Sequence, residues 1–260
     1  MHIVYPGDYF KPKQVDELYR DEASAFSTAG WSYSAINVDE LENILTLADL
    51  DAADIVMYRG WMLNETAYRG FTENIQRVGA KPLTSAEDYL SSHHLPNWYP
   101  KLQAFTAETV FLSPKDDLVN ELSNLNWPGF FIKDHVKSLK TSVGSAVTDI
   151  SMINTVVAEM EKFRGTIEGG LCIRRLEEYI EASEQRYFVI NGTPHSAIPG
   201  NVPDIVYACA KRLDSPFYSI DIAERIDGEL RVVEIGDGQV SDLVGWGVER
   251  FVEVCLTAEA

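Results

Sequence analysis

The chain has 260 residues, 40 acidic against 22 basic side chains, and a net charge of -18. That length gives one large or two small domains with a real core. The charge argues against nucleic acid and anionic membrane surfaces as partners. No apolar run is long enough to cross a bilayer, and Met1-His2-Ile3-Val4-Tyr5 lacks the basic-then-apolar pattern of a signal peptide. Three scattered cysteines, Cys172, Cys209 and Cys255, suit a reduced cytoplasmic interior and show no zinc-ligand spacing. Against the acidic background, cations gather at Lys133, Lys137 and Lys140, at Arg174 and Arg175, and at Arg186. Such local clusters suit an anionic ligand.

The first third alternates strand and helix. Strands are predicted at Met1–Pro6, Tyr33–Val38, Asp54–Tyr58 and Lys81–Leu83. Helices are predicted at Gln14–Ala29, Asp39–Leu47 and Asn64–Val78. Glu22 interrupts the apolar face of the first helix. This alternation implies a small parallel α/β domain. No Gly-x-Gly-x-x-Gly turn follows its first strand, so nothing marks a dinucleotide site.

Ser85–Leu95 then reads as helix and turn, Pro96–Pro100 as a break, and Lys101–Ala107 as a short helix. A strand at Thr109–Leu112 and a helix at Asp116–Leu125 precede Trp127-Pro128-Gly129. The apolar strand Phe130–Lys133 follows, ending in a lysine. The next stretch, Asp134–Gly144, holds Lys137, Lys140, Thr141, Ser142 and Gly144. Such a loop can turn backbone and side-chain donors toward phosphates, or it is a plain surface loop. Ile150–Phe163 is helical, Gly169–Arg174 a strand, Glu177–Ile180 extended, and Ser183–Ile190 a strand turning at Asn191-Gly192 toward His195-Ser196-Ala197. Helices at Asp204–Leu213 and Val244–Leu256 bracket a hairpin. After the parallel start, the chain reads as antiparallel α+β.

That hairpin carries the most chemistry. Its strands are Phe217–Ala223 and Glu229–Ile235, and Asp227-Gly228 between them is a two-residue turn signal. Such a turn places Asp221 opposite Glu234 on one face. Two carboxylates among apolar residues repel unless a proton or a cation lies between them, and magnesium with substrate phosphates fits. A solvated hairpin with two outward charges is the alternative.

Taken together, these features resemble the ATP-grasp superfamily, and within it the short RimK-like ligases. The run consists of Ile132-Lys133, the loop Ser138–Gly144, the hinge Leu176-Glu177-Glu178-Tyr179-Ile180, Glu184-Gln185-Arg186, Ser219-Ile220-Asp221-Ile222, and Val233-Glu234-Ile235-Gly236-Asp237-Gly238. The resemblance covers essentially the whole chain. It implies a pre-ATP-grasp α/β domain over 1–90 and an ATP-grasp domain over 91–260, with subdomains 91–176 and 177–260. It implies ATP and Mg2+ as cofactors and a small-molecule or peptide substrate. Carried over residue by residue, Lys133 would contact the adenine side or the α-phosphate. Lys140, Ser142 and Gly144 would close over the outer phosphates. Backbone between Leu176 and Ile180, Tyr179 included, would hold adenine, and Glu177 or Glu178 the ribose. Arg186, with Lys140, would face the transferred phosphoryl group, and Asp221 and Glu234 would bind magnesium. Two departures stand out. Gly236 occupies the family's usual Asn position, so Asp237 substitutes as a ligand or one metal is held less well. Where many members carry a lysine before the central domain, this chain reads Ser92-His93-His94-Leu95. The expected activity is carboxylate–amine ligation through an acylphosphate, in a cytoplasmic monomer or homodimer. The alternatives are an inactive ATP-binding protein and a non-enzymatic interaction protein.

Overall fold

The structure is a computed structural model that describes residues 1–38, 50–52, 54–136, 144–165 and 167–257. The helix expected at Asp39–Leu47 and the loop residues Lys140 and Ser142 lie outside the described residues. The chain divides into two compact units. One comprises 1–92, 185–221 and 235–260; the other comprises 93–184 and 222–234. No helix among the described residues is long and apolar enough to cross a membrane.

The first unit is built on a parallel sheet of β1 (His2–Pro6), β2 (Ser32–Ile36), β3 (Ile55–Tyr58) and β4 (Lys81–Pro82), in the order β2-β1-β3-β4. All five residues of β1 are buried, as expected of a central parallel strand covered on both faces. Helix α1 (Arg20–Thr28) begins later than the periodicity predicts. Val15 instead bridges back to Gly7, and the Asp16 side chain caps a 3-10 turn at Glu17–Tyr19. Helix α2 (Glu65–Arg77) begins where Asn64 accepts from the Ala67 amide, an N-cap that satisfies an otherwise orphaned donor.

Glu22, the break in the apolar face of α1, is a core residue. Arg59 Nε and Nη2 each reach its carboxylate at 2.8 Å, and Tyr5 donates to the same group at 3.1 Å. Arg59 Nη1 also donates to the carbonyls of Gly238, Gln239 and Ser241. Its guanidinium lies 4.7 Å from the Phe251 ring centroid. Burial opposes the charge on Arg59, but the Glu22 carboxylate more than offsets it and holds the guanidinium above its ordinary pKa.

The second unit carries an antiparallel sheet. Its strands are β5 (Thr109–Leu112), β6 (Phe130–Asp134), β7 (Ala146–Val147) and β8 (Leu171–Arg175), in the order β5-β8-β6-β7. One face packs on helices α5 (Leu118–Leu122) and α6 (Ile153–Arg164) through Phe130, Ile132, Leu171 and Ile173. Strand alternation therefore turns Phe131, Lys133, Cys172 and Arg174 to the opposite face.

Between α3 (Ala86–His93) and β5 the sequence expectation needs correcting. Helix α4 spans Leu95–Leu102, where Pro96–Pro100 reads as a break. Pro96 falls in the first turn, where a missing N–H costs nothing. Pro100 is then tolerated near the other end, and the apolar face of Leu95, Trp98 and Leu102 is buried.

A third sheet has the order β10-β9-β11-β12. It is formed by β9 (Gln185–Ile190), β10 (Thr193–Ser196), β11 (Phe217–Glu224) and β12 (Leu230–Asp237), the last two running through both units. The hairpin turn differs from expectation by one residue. Arg225 N donates to Glu229 O, Gly228 N donates to Arg225 O, and Gly228 has φ +88°. The loop is thus Ile226-Asp227-Gly228, three residues closed by a glycine in the left-handed region. A one-residue change of loop length changes strand register, which removes the argument that set Asp221 directly opposite Glu234. Helices α7 (Asp204–Ala210) and α8 (Val248–Leu256) complete the fold, and α8 packs Phe251 against Phe26 of α1.

Candidate nucleotide site

The face of the second unit's sheet opposite α5 and α6 borders a cavity of about 520 Å³, whose walls include Phe131, Lys133, Arg174, Tyr179, Glu184 and Glu234. That volume falls within the ordinary range for small-molecule sites. Lys133 is nearly buried and donates to Glu234 Oε1 at 2.8 Å, while Glu234 is about two-fifths exposed. The carboxylate beside Lys133 offsets the cost of placing an ammonium at the wall of a mostly apolar recess. Cys172, between these cations, is an inert thiol that burial pushes up to about 12.

The extended segment Leu176–Ile180 forms the cavity's rim. Leu176 N donates to Gly129 O, and Tyr179 bridges to Arg225 through Ile226 N to Glu178 O and Ile180 N to Glu224 O. Glu177 lines the cavity but is already engaged. Arg231 reaches it at 3.1 Å, Arg225 at 3.5 Å, and Tyr179 donates to it at 2.7 Å. Burial and that hydrogen bond together raise the Tyr179 pKa. Glu178 and Ile180 are exposed, and Gly144 has φ +70° at the end of the segment 137–143, which is not described. His93, which lies in the same unit, is buried and held neutral, its pKa lowered to about 3 by burial first and by His94 next.

The first unit holds the remaining candidates. Arg186 forms a bidentate pair with Asp221, at 2.8 and 2.6 Å, and donates to the Asp242 carbonyl at 2.8 Å. The pair fixes a guanidinium and a carboxylate side by side with little freedom. Asp237 is fully buried. Its Oδ1 accepts from Gln239 N at 3.0 Å and Nε2 at 3.1 Å, and Gln239 Nε2 also donates to Tyr68. In this position it caps a 3-10 turn rather than facing solvent. Its second oxygen has no partner among the described residues, and burial raises its pKa to about 7. Gly236 lies under the hydroxyl pair Ser219–Ser241, where a Cβ would come within 3.1 and 3.2 Å of the two oxygens.

No group of three His, Cys, Asp or Glu side chains suited to a metal is found among the described residues. Magnesium bound through one or two carboxylates and substrate phosphates needs no such group. Glu234, an oxygen donor partly open at the cavity wall, fits that demand.

The state of Asp237 gives a pH prediction. An unfolded aspartate loses its proton near pH 4, whereas the native one holds it to about 7. Stability is therefore greatest below about pH 4 with respect to this group, falls as pH rises toward 7, and then levels off. Asp237→Asn removes that slope. Thermal melting of both proteins between pH 5 and 8 should give a flatter profile for the variant; parallel profiles contradict the assignment.

Fold and cavity together are those of an ATP-grasp protein. A family model described as an ATP-grasp domain, the third family of its clade, matches residues 124–254, and the chain belongs to this family. No curated protein sequence matches it. Among solved structures, D-cycloserine synthetase DcsG is similar at 13% identity and a TM-score of 0.68, covering 99% of both chains. D-alanine–D-alanine ligase from Bacillus anthracis, complexed with ATP, is similar at 14% identity and a TM-score of 0.66, covering 99% of this chain and 96% of that one. A RimK-domain ATP-grasp protein from Sphaerobacter thermophilus gives 14%, 0.66 and full coverage of both chains. At such identities the likeness speaks for the fold alone.

Of the residues singled out in sequence, the second unit brings together Lys133, Leu176, Glu177, Tyr179 and Glu234 around one cavity. Arg186 and Asp221 form a pair in the first unit. Arg174 and Glu184 are cavity residues to which the motifs assigned no role. The cation cluster at Arg174 and Arg175 was the available signal for the first.

Proposed function

We propose that this protein is an ATP-dependent carboxylate–amine ligase that works through an acylphosphate. The cavity carries the reading, because it sets a buried lysine beside a carboxylate next to an extended hinge. A carboxylate is a poor electrophile, since it has no leaving group other than oxide. Its oxygen attacks the γ-phosphorus of ATP, the bond to the β–γ bridging oxygen breaks, and ADP departs. An amine then attacks the acyl carbon, phosphate leaves, and the amine loses its proton to give an amide. Positioning and charge neutralisation dominate such a transfer. Lys133 holds the nucleotide, the Leu176–Ile180 backbone receives adenine, and Glu178 reaches the ribose, since Glu177 is committed to Arg231 and Arg225. Arg186 and the loop residues Lys140, Ser142 and Gly144 serve the outer phosphates. Asp221 and Glu234 are the magnesium ligands in this reading; Asp237, closed inside the first unit, has no role in it. The ion, when bound, neutralises charge on the phosphate oxygens.

The proposal includes a pre-ATP-grasp domain over 1–90, an ATP-grasp domain over 91–260, a cytoplasmic location, and a monomer or homodimer. The substrate is an amino acid or a peptide, a choice supported by similar structures named for D-cycloserine and D-alanyl-D-alanine synthesis. The test is an ADP-release screen against amino acids and short peptides. ADP and phosphate should form in equal amounts with the amide, and hydroxylamine in place of the amine should trap the acyl group as a hydroxamate. AMP as the main nucleotide product would exclude this mechanism.

A second reading, nucleotide binding without turnover, is favoured by Gly236. The family's asparagine is missing there, and the Ser219–Ser241 hydroxyls leave little room for a side chain. ATP binding with no ADP release for any acid would select it.

A further inference from the structure

Arg174 lies on β8 with its side chain on the cavity face, diagonal to Lys133 across the β6–β8 pair, since Phe131 opposes Arg174 and Cys172 opposes Lys133. It is about 6% exposed and lines the cavity. Nη1 donates to the Val233 carbonyl at 2.7 Å and Nη2 to Thr106 Oγ1 at 2.5 Å. Both acceptors are neutral. Its neighbours are better provided for: Lys133 has Glu234, and Arg231 has Glu177. The Arg174 Nε, also buried, has no acceptor among the described residues.

Buried guanidinium groups are otherwise paired with an anion, because a lone charge in a low-dielectric interior is costly. Burial pulls the Arg174 pKa below its ordinary value, further than Tyr179 and the more distant charges of Glu234 and Glu177 raise it. An oxyanion entering the cavity that Arg174 lines would supply the counter-charge that its two neutral acceptors do not. We propose that Arg174 binds a phosphate of the nucleotide, as a second fixed cation beside Lys133. The proposal rests on the nucleotide-binding part of the reading above and needs none of its ligase chemistry. A substrate carboxylate offers the same oxygen acceptors, and a purely structural Arg174 would only tie β8 to Val233. The test separates all three.

Calorimetry on the full chain with magnesium present compares ATP, adenosine and inorganic triphosphate as ligands. Arg174→Met keeps an unbranched, apolar stem and removes the charge. It should weaken ATP and triphosphate by about ten- to a hundredfold, the range for a hydrogen bond to a charged group, and leave adenosine within about twofold. Arg174→Lys should recover part of the loss. In wild type the slope of log Kd against log salt should be steeper than in Arg174→Met. Unchanged ATP affinity in Arg174→Met overturns the proposal. So does an equal loss for ATP and adenosine, which marks a structural role. So does unchanged ATP affinity with a raised KM for the carboxylic acid alone, which assigns the oxyanion to the acid. If Arg174→Met fails to fold by circular dichroism, the ATP-to-adenosine affinity ratio in Arg174→Lys decides, and a wild-type ratio there overturns the proposal. ADP release enters none of the binding readouts, so failure of the ligase reading and failure of this one are separate results.

Discussion

Glu22→Ala should lower the unfolding free energy by about 3–5 kcal/mol, the usual cost of stranding one partner of a buried ion pair. Arg59 is almost fully buried, and without Glu22 its charge keeps, among the described residues, three carbonyl acceptors and an aromatic face. Urea unfolding monitored by tryptophan fluorescence measures the loss. Glu22→Gln should cost less, because an amide oxygen still accepts from Arg59. Replacing both partners by apolar residues should not restore stability here, as it does for some isolated pairs. It would leave the carbonyls of Gly238, Gln239 and Ser241 without the donor they share. A Glu22→Ala protein as stable as wild type would show that the pair is weak in solution.

The same pair shows where the sequence could be read and where it could not. The parallel α/β character of the segment from β1 to β4 followed from apolar runs of strand length separated by helical periods, a signal local to each segment. Glu22 broke that period, and its partner lies 37 positions away. Nothing between the two residues announces their meeting. Pro96 and Pro100 misled for the opposite reason: a local rule was applied without the position of each proline in the helix that contains it. The hairpin was legible, but its loop length was not, since Asp-Gly serves a two-residue turn and Ile-Asp-Gly a three-residue one. Lys133 and Glu234 were both singled out, for different tasks; their contact at 2.8 Å joins strands of two different sheets, 101 positions apart. The hinge was visible as an extended polar stretch. That Arg231 of β12 and Arg225 at the hairpin loop occupy Glu177 depended on how the hairpin meets the hinge, which sequence spacing does not show.

Glu234→Gln should abolish turnover, by on the order of a hundredfold or more, with the fold retained. The scale is that of losing one preorganised group that stabilises transferring charge. The substitution keeps the shape and keeps an oxygen to accept from Lys133, so the nearly buried ammonium is not stranded. It removes the negative charge, and with it a hard anionic donor of the kind magnesium requires. Under the proposed reading, loss of charge should act on the chemical step more than on nucleotide binding, because Lys133, freed from its ion pair, would still serve the nucleotide. The expected pattern is a fall in kcat for hydroxamate formation, an increased magnesium concentration at half-maximal rate, and an ATP affinity changed by less than about tenfold. Circular dichroism and the melting temperature should match wild type closely. Wild-type turnover in this variant, at an unchanged magnesium requirement, would remove Glu234 from the metal site and leave its pairing with Lys133 as its only task.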